Sequence, residues 1–136
     1  MWDVKYFAKE FIRLFPEYED EYLEHIADYG KILGHIFFGT VIDEPLSRLL
    51  LENCDKIKIR KYIDFIDDMY SNGNNDVQNI VEVTILEYLG DNDTILKRAF
   101  SYFSEKIIMA SKSIEEGLGR RNIRIFYKNG KMFTKW

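Results

Sequence analysis

Apolar and polar positions along the chain alternate in a way that predicts a series of short amphipathic helices followed by one hairpin. Val4, Phe7, Ala8, Phe11, Ile12 and Phe15 recur at helical spacing. Pro16 cannot donate to the preceding turn and stops this run, so a first helix spans roughly residues 3–15. Tyr18, Tyr22, Ile26 and Tyr29 mark one face of a second helix that ends at Gly30. In residues 31–42, KILGHIFFGTVI, Gly34 and Gly39 interrupt an apolar run, which predicts a buried loop or a short irregular helix. Pro45 suits the first turn of a helix reaching about Glu52, with Leu46, Leu49 and Leu50 inward.

Asp55 is placed to cap the next helix, whose stripe is Ile59, Tyr62, Ile63, Ile66, Met69 and Tyr70. Residues 71–75, SNGNN, end it and cap the following one. Between Asp76 and Leu89, Val77, Ile80, Val81, Val83, Ile85, Leu86 and Leu89 fall on nearly every side, which predicts the central and most buried helix. Gly90 stops it. Asn92 or Asp93 then caps one long last helix to about Glu116, with Leu96, Ala99, Phe100, Phe103, Ile107 and Ala110 inward.

Asn129-Gly130 between two apolar-rich runs is the signal of a two-residue type I′ hairpin. That turn pairs Lys128 with Lys131, Tyr127 with Met132, Phe126 with Phe133, Ile125 with Thr134 and Ile123 with Trp136. One face then carries Ile123, Ile125, Tyr127, Met132, Thr134 and Trp136, fit to dock on the helices. The other carries Arg124, Phe126, Lys128, Lys131, Phe133 and Lys135. The expected fold class is mainly α: an antiparallel bundle of about five to six helices, or stacked helical hairpins, with a C-terminal β-hairpin. Residues 1–136 read as a single domain with residues 122–136 packed on it.

Composition agrees with a soluble packed domain, 46% hydrophobic and 31% charged. One cysteine, Cys54, forms no internal disulfide, and neither a signal sequence nor a run of roughly 20 apolar residues stands out. A cytoplasmic protein with no membrane association is expected. Charge is divided unevenly: residues 1–116 hold 13 Lys/Arg and 23 Asp/Glu, whereas residues 117–136 hold six basic residues and no acid. The body is therefore acidic and the tail basic, a distribution that bears on partners rather than on fold.

Catalytic and metal chemistry find little support. His25 and His35 lie ten residues apart without Glu-x-x-His or His-x-x-x-His spacing. Cys54, beside Asp55, reads as a half-buried helix-end cysteine rather than a nucleophile. Gly117-Leu118-Gly119-Arg120-Arg121 follows a helix instead of opening one, so it reads as a helix terminator and not a phosphate loop. No enzyme activity, metal or cofactor is expected.

Two acidic stripes are the better candidates. Glu17, Asp20, Glu21, Glu24 and Asp28 on the second helix, and Asp64, Asp67 and Asp68 on a later one, recur at spacings of three and four. Like charges so placed cost a few tenths of a kcal/mol each, and a basic protein partner would offset that cost. A solvated face is the plainer reading. The alternative anion-binding set is Arg120, Arg121, Arg124, Lys128, Lys131 and Lys135, with Phe126 and Phe133 available for stacking. Nucleic acid is not the expected partner, because a sequence pI near 5.2 opposes a polyanion.

Residues 15–39, FPEYEDEYLEHIADYGKILGHIFFG, and residues 74–90, NNDVQNIVEVTILEYLG, resemble in order and texture a family of small helical bacterial proteins. Several of these are found beside polymorphic toxins and are regarded as immunity proteins. Tyr29-Gly30, His35, Phe38-Gly39, Glu82 and Glu87 carry the resemblance; Gly34 stands where the family has proline, and Thr40 where it has an acid. The resemblance implies a stoichiometric inhibitor of a cognate toxin, a nuclease being the natural target for acidic helices. It implies contributing roles for Glu17, Asp20, Glu21, Glu24, Asp64, Asp67 and Asp68, while the family positions His35, Glu82 and Glu87 read equally well as structural residues.

Overall fold

Local capping chemistry divides the chain much as the apolar pattern anticipates. In the computed structural model, which describes residues 1–136, Asp3 accepts from the Tyr6 N–H at 2.9 Å and opens α1, Val4–Leu14. A single 3-10 turn, Pro16–Tyr18, leads into α2, Glu19–Tyr29, which ends on Gly30 in the left-handed region. Residues 34–52 form one continuous helix, α3, in which a π-helical stretch, Gly39–Asp43, joins two α-helical ones. Of the two expectations for residues 31–42, the irregular helix is the one found from Gly34 onward, and Gly39 sits inside it at the start of the π segment.

Asp55 caps α4, Lys56–Asn72, by accepting from Lys58 N–H at 3.1 Å. Asn74 caps α5, residues 75–89, through Val77 N–H. This helix also contains a π segment, Ile80–Leu86, where the Glu87 N–H reaches the Glu82 carbonyl five residues back. One extra residue in the turn brings both apolar doublets, Ile80-Val81 and Ile85-Leu86, to the core. It also leaves Val83 outward at 50% exposure, although the sequence counts Val83 among the apolar residues of the most buried helix.

The long last helix is two helices. Asn92 caps α6, Asp93–Phe100, and Ser104 caps α7, Glu105–Gly117. The break has identifiable causes in other elements: Asp67 of α4 accepts from the Ser104 hydroxyl at 2.9 Å, and Arg60 donates to the Tyr102 carbonyl at 2.8 Å. Both contacts reward a turn at residues 101–104 that helical periodicity across Leu96, Phe103 and Ile107 conceals. The count becomes seven helices, followed by β1, Arg124–Lys128, and β2, Lys131–Lys135.

The hairpin register is the expected one, with Lys128 opposite Lys131 and Phe126 opposite Phe133. Asn129 at φ 53° and Gly130 at φ 73° supply the two positive angles of the type I′ turn. Ile125, Met132 and Trp136 pack against the core, while Tyr127 at the tip stays exposed. Thirty buried apolar residues form one cluster, dense in aromatic contacts around Phe11, Phe15, Phe37, Phe38, Tyr62 and Phe65. Burying rings in stacked and edge-to-face pairs stabilises beyond area alone, by about 1 kcal/mol a pair. No helix is long and apolar enough to cross a membrane.

Candidate functional site

The face built by α2 and the start of α3 is defined first by its charges. Glu19, Asp20 and Glu21 occupy the first turn of α2, where the helix dipole favours carboxylates. Glu24 and Asp28 lack that reason, and Asp28 lies in a last turn that has no basic residue. Asp20, Glu21, Glu24 and Asp28 are all exposed, and no ion pair or side-chain hydrogen bond engages them. Glu21, Glu24 and Asp28 form one wall of an open groove of about 220 Å³ whose other residues include Tyr29, Ile36, Phe37 and Thr40. Tyr29 and Ile36 are about half exposed there, giving the acidic wall an apolar neighbour.

His25, also on α2, anchors this face from below. It is buried, and its Nε2 accepts from the Leu33 N–H at 2.9 Å, which fixes the chain entering α3. Burial lowers the pKa of the ring, with Asp28 opposing, so the neutral acceptor form is favoured. The buried histidine is therefore His25, whereas His35 is exposed and shares a 2.5 Å contact from Nδ1 with Thr84 Oγ1 across to α5.

The α4 stripe is used differently. Asp67 holds Ser104, Asp68 accepts from Asn72 at 2.6 Å, and Asp64 lies 3.6 Å from Arg60. Glu17, at the head of the first stripe, lies 3.5 Å from Lys58. The structure therefore separates the seven sequence candidates: Asp20, Glu21 and Glu24 are free, and Glu17, Asp64, Asp67 and Asp68 have internal partners.

The basic tail divides as well. Arg120 and Arg121 both donate to Glu115, whose side chain is 1% exposed. Arg120 also donates to Asp91 at 2.7 Å and to the Glu87 carbonyl at 3.0 Å, and Arg121 to the Gly90 carbonyl at 2.6 Å. A Cβ on Gly90 would meet the ends of the Glu115 and Arg120 side chains, so a larger residue there would push this clasp aside. Trp136 finishes the attachment by donating to Asp93 at 2.6 Å and meeting Phe100 edge-on. That indole hydrogen bond leads the contacts that hold Asp93 below the usual carboxylate range. Arg120 and Arg121 are thus removed from the anion-binding set, and Arg124, Lys128, Lys131 and Lys135 remain exposed on the hairpin.

Sequence reasoning missed Glu115 and Asp43, the two enclosed carboxyl groups. Asp43 ends the α3 π segment, is 6% exposed, and its Oδ1 has no hydrogen-bond partner. Burial pushes its pKa up to about 8. The π segments of α3 and α5 pack together, and Tyr62 donates to the Val41 carbonyl at 3.2 Å inside the first of them. Apolar doublets spaced five apart, Ile80-Val81 and Ile85-Leu86, were the available signal for a π turn. Cys54 is exposed, not half-buried. No three His, Cys, Asp or Glu side chains come together in a way that could hold a metal ion.

The family model described as "Domain of unknown function (DUF7674)" matches residues 8–117, a span that ends with α7 and stops before the hairpin. No curated protein and no solved structure matches the chain.

Proposed function

The chain belongs to this domain family, DUF7674, and we propose that it is an immunity-type protein that binds and neutralises a cognate bacterial toxin domain, a nuclease with a basic substrate groove. The reading is carried by one observation: α2 holds Asp20, Glu21, Glu24 and Asp28 exposed, without internal partners, beside the exposed apolar side chains of Tyr29 and Ile36. Carboxylates spaced along a helix can take the places of successive phosphates in a basic groove, and complementary charge speeds association and rejects wrong partners. Apolar contact beside the carboxylates supplies the desolvated patch that charge alone lacks. The resemblance of residues 15–39 and 74–90 to proteins found beside polymorphic toxins supports the same reading.

The test is to look for a nuclease toxin encoded beside this chain's gene and to measure its inhibition. One equivalent of protein should abolish nuclease activity in a titration with a sharp end point. Glu21→Lys with Glu24→Lys should weaken inhibition by about 100-fold or more, since each buried interfacial charge pair is worth about 2 kcal/mol or more. Inhibition unaffected by that reversal would remove α2 from the interface, and absence of any toxin in the neighbourhood or of protection on co-expression would sink the function.

A further inference from the structure

The outer face of the hairpin carries a pattern that the rest of the molecule leaves unanswered. Register places Arg124 opposite Lys135 and Lys128 opposite Lys131, with Phe126 and Phe133 stacked between them at 5.7 Å. Like charges directly opposite one another destabilise a hairpin. No carboxylate of the chain bonds to any of these four cations; the tail's ion pairs to the body's acids belong to Arg120 and Arg121. Both phenyl rings are substantially exposed, at 47% and 39%.

We propose that this face docks into the α2–α3 groove of a second copy of the chain. Charge is complementary: Arg124, Lys128, Lys131 and Lys135 face outward on one surface, and Asp20, Glu21, Glu24 and Asp28 on the other, with neither set paired internally. Length agrees as well. The two cation pairs stand four residues apart on a strand, about 13 Å, and Glu21 and Asp28 stand seven residues apart on a helix, about 10 Å. The phenyl pair lies midway between the cations, as Tyr29 and Ile36 lie beside the acidic wall. A run of carboxylates would suit any cation; the phenyl pair between two cation pairs is what selects this occupant.

The match is made between molecules because it is not made within one. Glu115, Trp136 and the Lys112 contact to the Ile123 carbonyl fasten the tail to α5, α6 and α7, and no hydrogen bond or ion pair joins the hairpin to α2. Two different surfaces therefore meet, either reciprocally in a closed pair or head to tail in a growing chain. A basic partner and the neighbouring hairpin would compete for α2. Self-association, however, needs no partner and is measured on this protein alone.

Sedimentation velocity of the full chain tests the proposal. At about 25 mM salt the average mass should rise with concentration above the 16.2 kDa of one chain, and at about 500 mM salt it should return there, since charge pairs are screened over a few ångströms. Lys128→Glu with Lys131→Glu, and separately Glu21→Lys with Glu24→Lys, should each weaken association by about tenfold or more. Mixing the two variants should restore it, because each then offers the other a complementary surface. A mass of one chain at every concentration and salt overturns the proposal, as does association indifferent to both reversals. Salt-sensitive binding of a single-stranded oligonucleotide by the native protein, with its mass otherwise that of one chain, would reassign the face to nucleic acid. The Lys128→Glu, Lys131→Glu protein keeps α2 intact, so its failure to inhibit a toxin would count against the proposed function and leave self-association standing.

Discussion

Helices α2 and α4 carry carboxylates at the same spacings of three and four, yet those of α4 have partners within the chain and those of α2 do not. Asp67 of α4 reaches Ser104 on another helix, while Asp64 and Asp68 reach Arg60 and Asn72, each four residues away on α4 itself. On α2, Asp20, Glu21, Glu24 and Asp28 reach nothing. The tail repeats the division, with Arg120 and Arg121 committed to Glu115 while the four hairpin cations face outward. A stripe's position follows from local periodicity, but whether its charges are available follows from what lies within reach, four residues away on the same helix for Asp64 and Asp68 and across the fold for Asp67 and Glu17. Availability is the property a partner surface needs.

The committed charges give the largest expected effect. Glu115→Gln keeps the shape of the side chain and removes the charge that Arg120 and Arg121 share. Breaking a buried pair from one side costs about 3–5 kcal/mol, and urea unfolding should show a loss of that size. Trp136 should become more exposed by fluorescence, because the clasp precedes the hairpin it fastens. A loss below about 1 kcal/mol would mean that these arginines are not spent on the fold and belong again to the anion-binding set.

Asp43 sets an enclosed carboxyl with no partner against Glu115, which has two. Its pKa of about 8 lies above the ordinary 3.8, so between those values the folded protein holds a proton that the unfolded chain has released. Stability contributed by the neutral form is complete below about pH 4 and falls as pH rises through 8, by up to about 1.4 kcal/mol per unit. Asp43→Asn should flatten that part of the urea midpoint against pH and exceed the native protein above pH 8. Parallel profiles for the two proteins would refute a neutral buried carboxyl at this position.

Much of the fold was legible in the sequence because its signals are local. Asp55, Asn92 and Asn129-Gly130 act within a few residues, and each cap or turn stands where the pattern puts it. The break at residues 101–104 was not legible, because Asp67 and Arg60 impose it from another helix. The π turn that exposes Val83 breaks the 3.6-residue period on which burial was inferred. At the surface, sequence placed both acidic stripes; Arg60 and Asn72 lie only four residues from Asp64 and Asp68, but the other partners are remote. Lys58 meeting Glu17 and Ser104 meeting Asp67 are contacts between residues 41 and 37 positions apart.

The smallest effects separate the two stripes most directly, because their signs differ. Asp67→Ala removes the brace on the Ser104 cap and should lower stability by about 1 kcal/mol. Glu24→Gln with Asp28→Asn should instead raise it by a few tenths of a kcal/mol. The pair lies four apart and repels, and Asp28 stands at the helix end where the dipole disfavours an anion. Both variants can be compared in one set of urea titrations. If neutralising Glu24 and Asp28 destabilises the protein as Asp67→Ala does, the α2 carboxylates also have work inside the fold, and their exposure no longer argues for a partner. If the signs are opposite, α2 retains charges that cost its own helix stability and serve no contact within the fold, which is what the proposed partner surface requires.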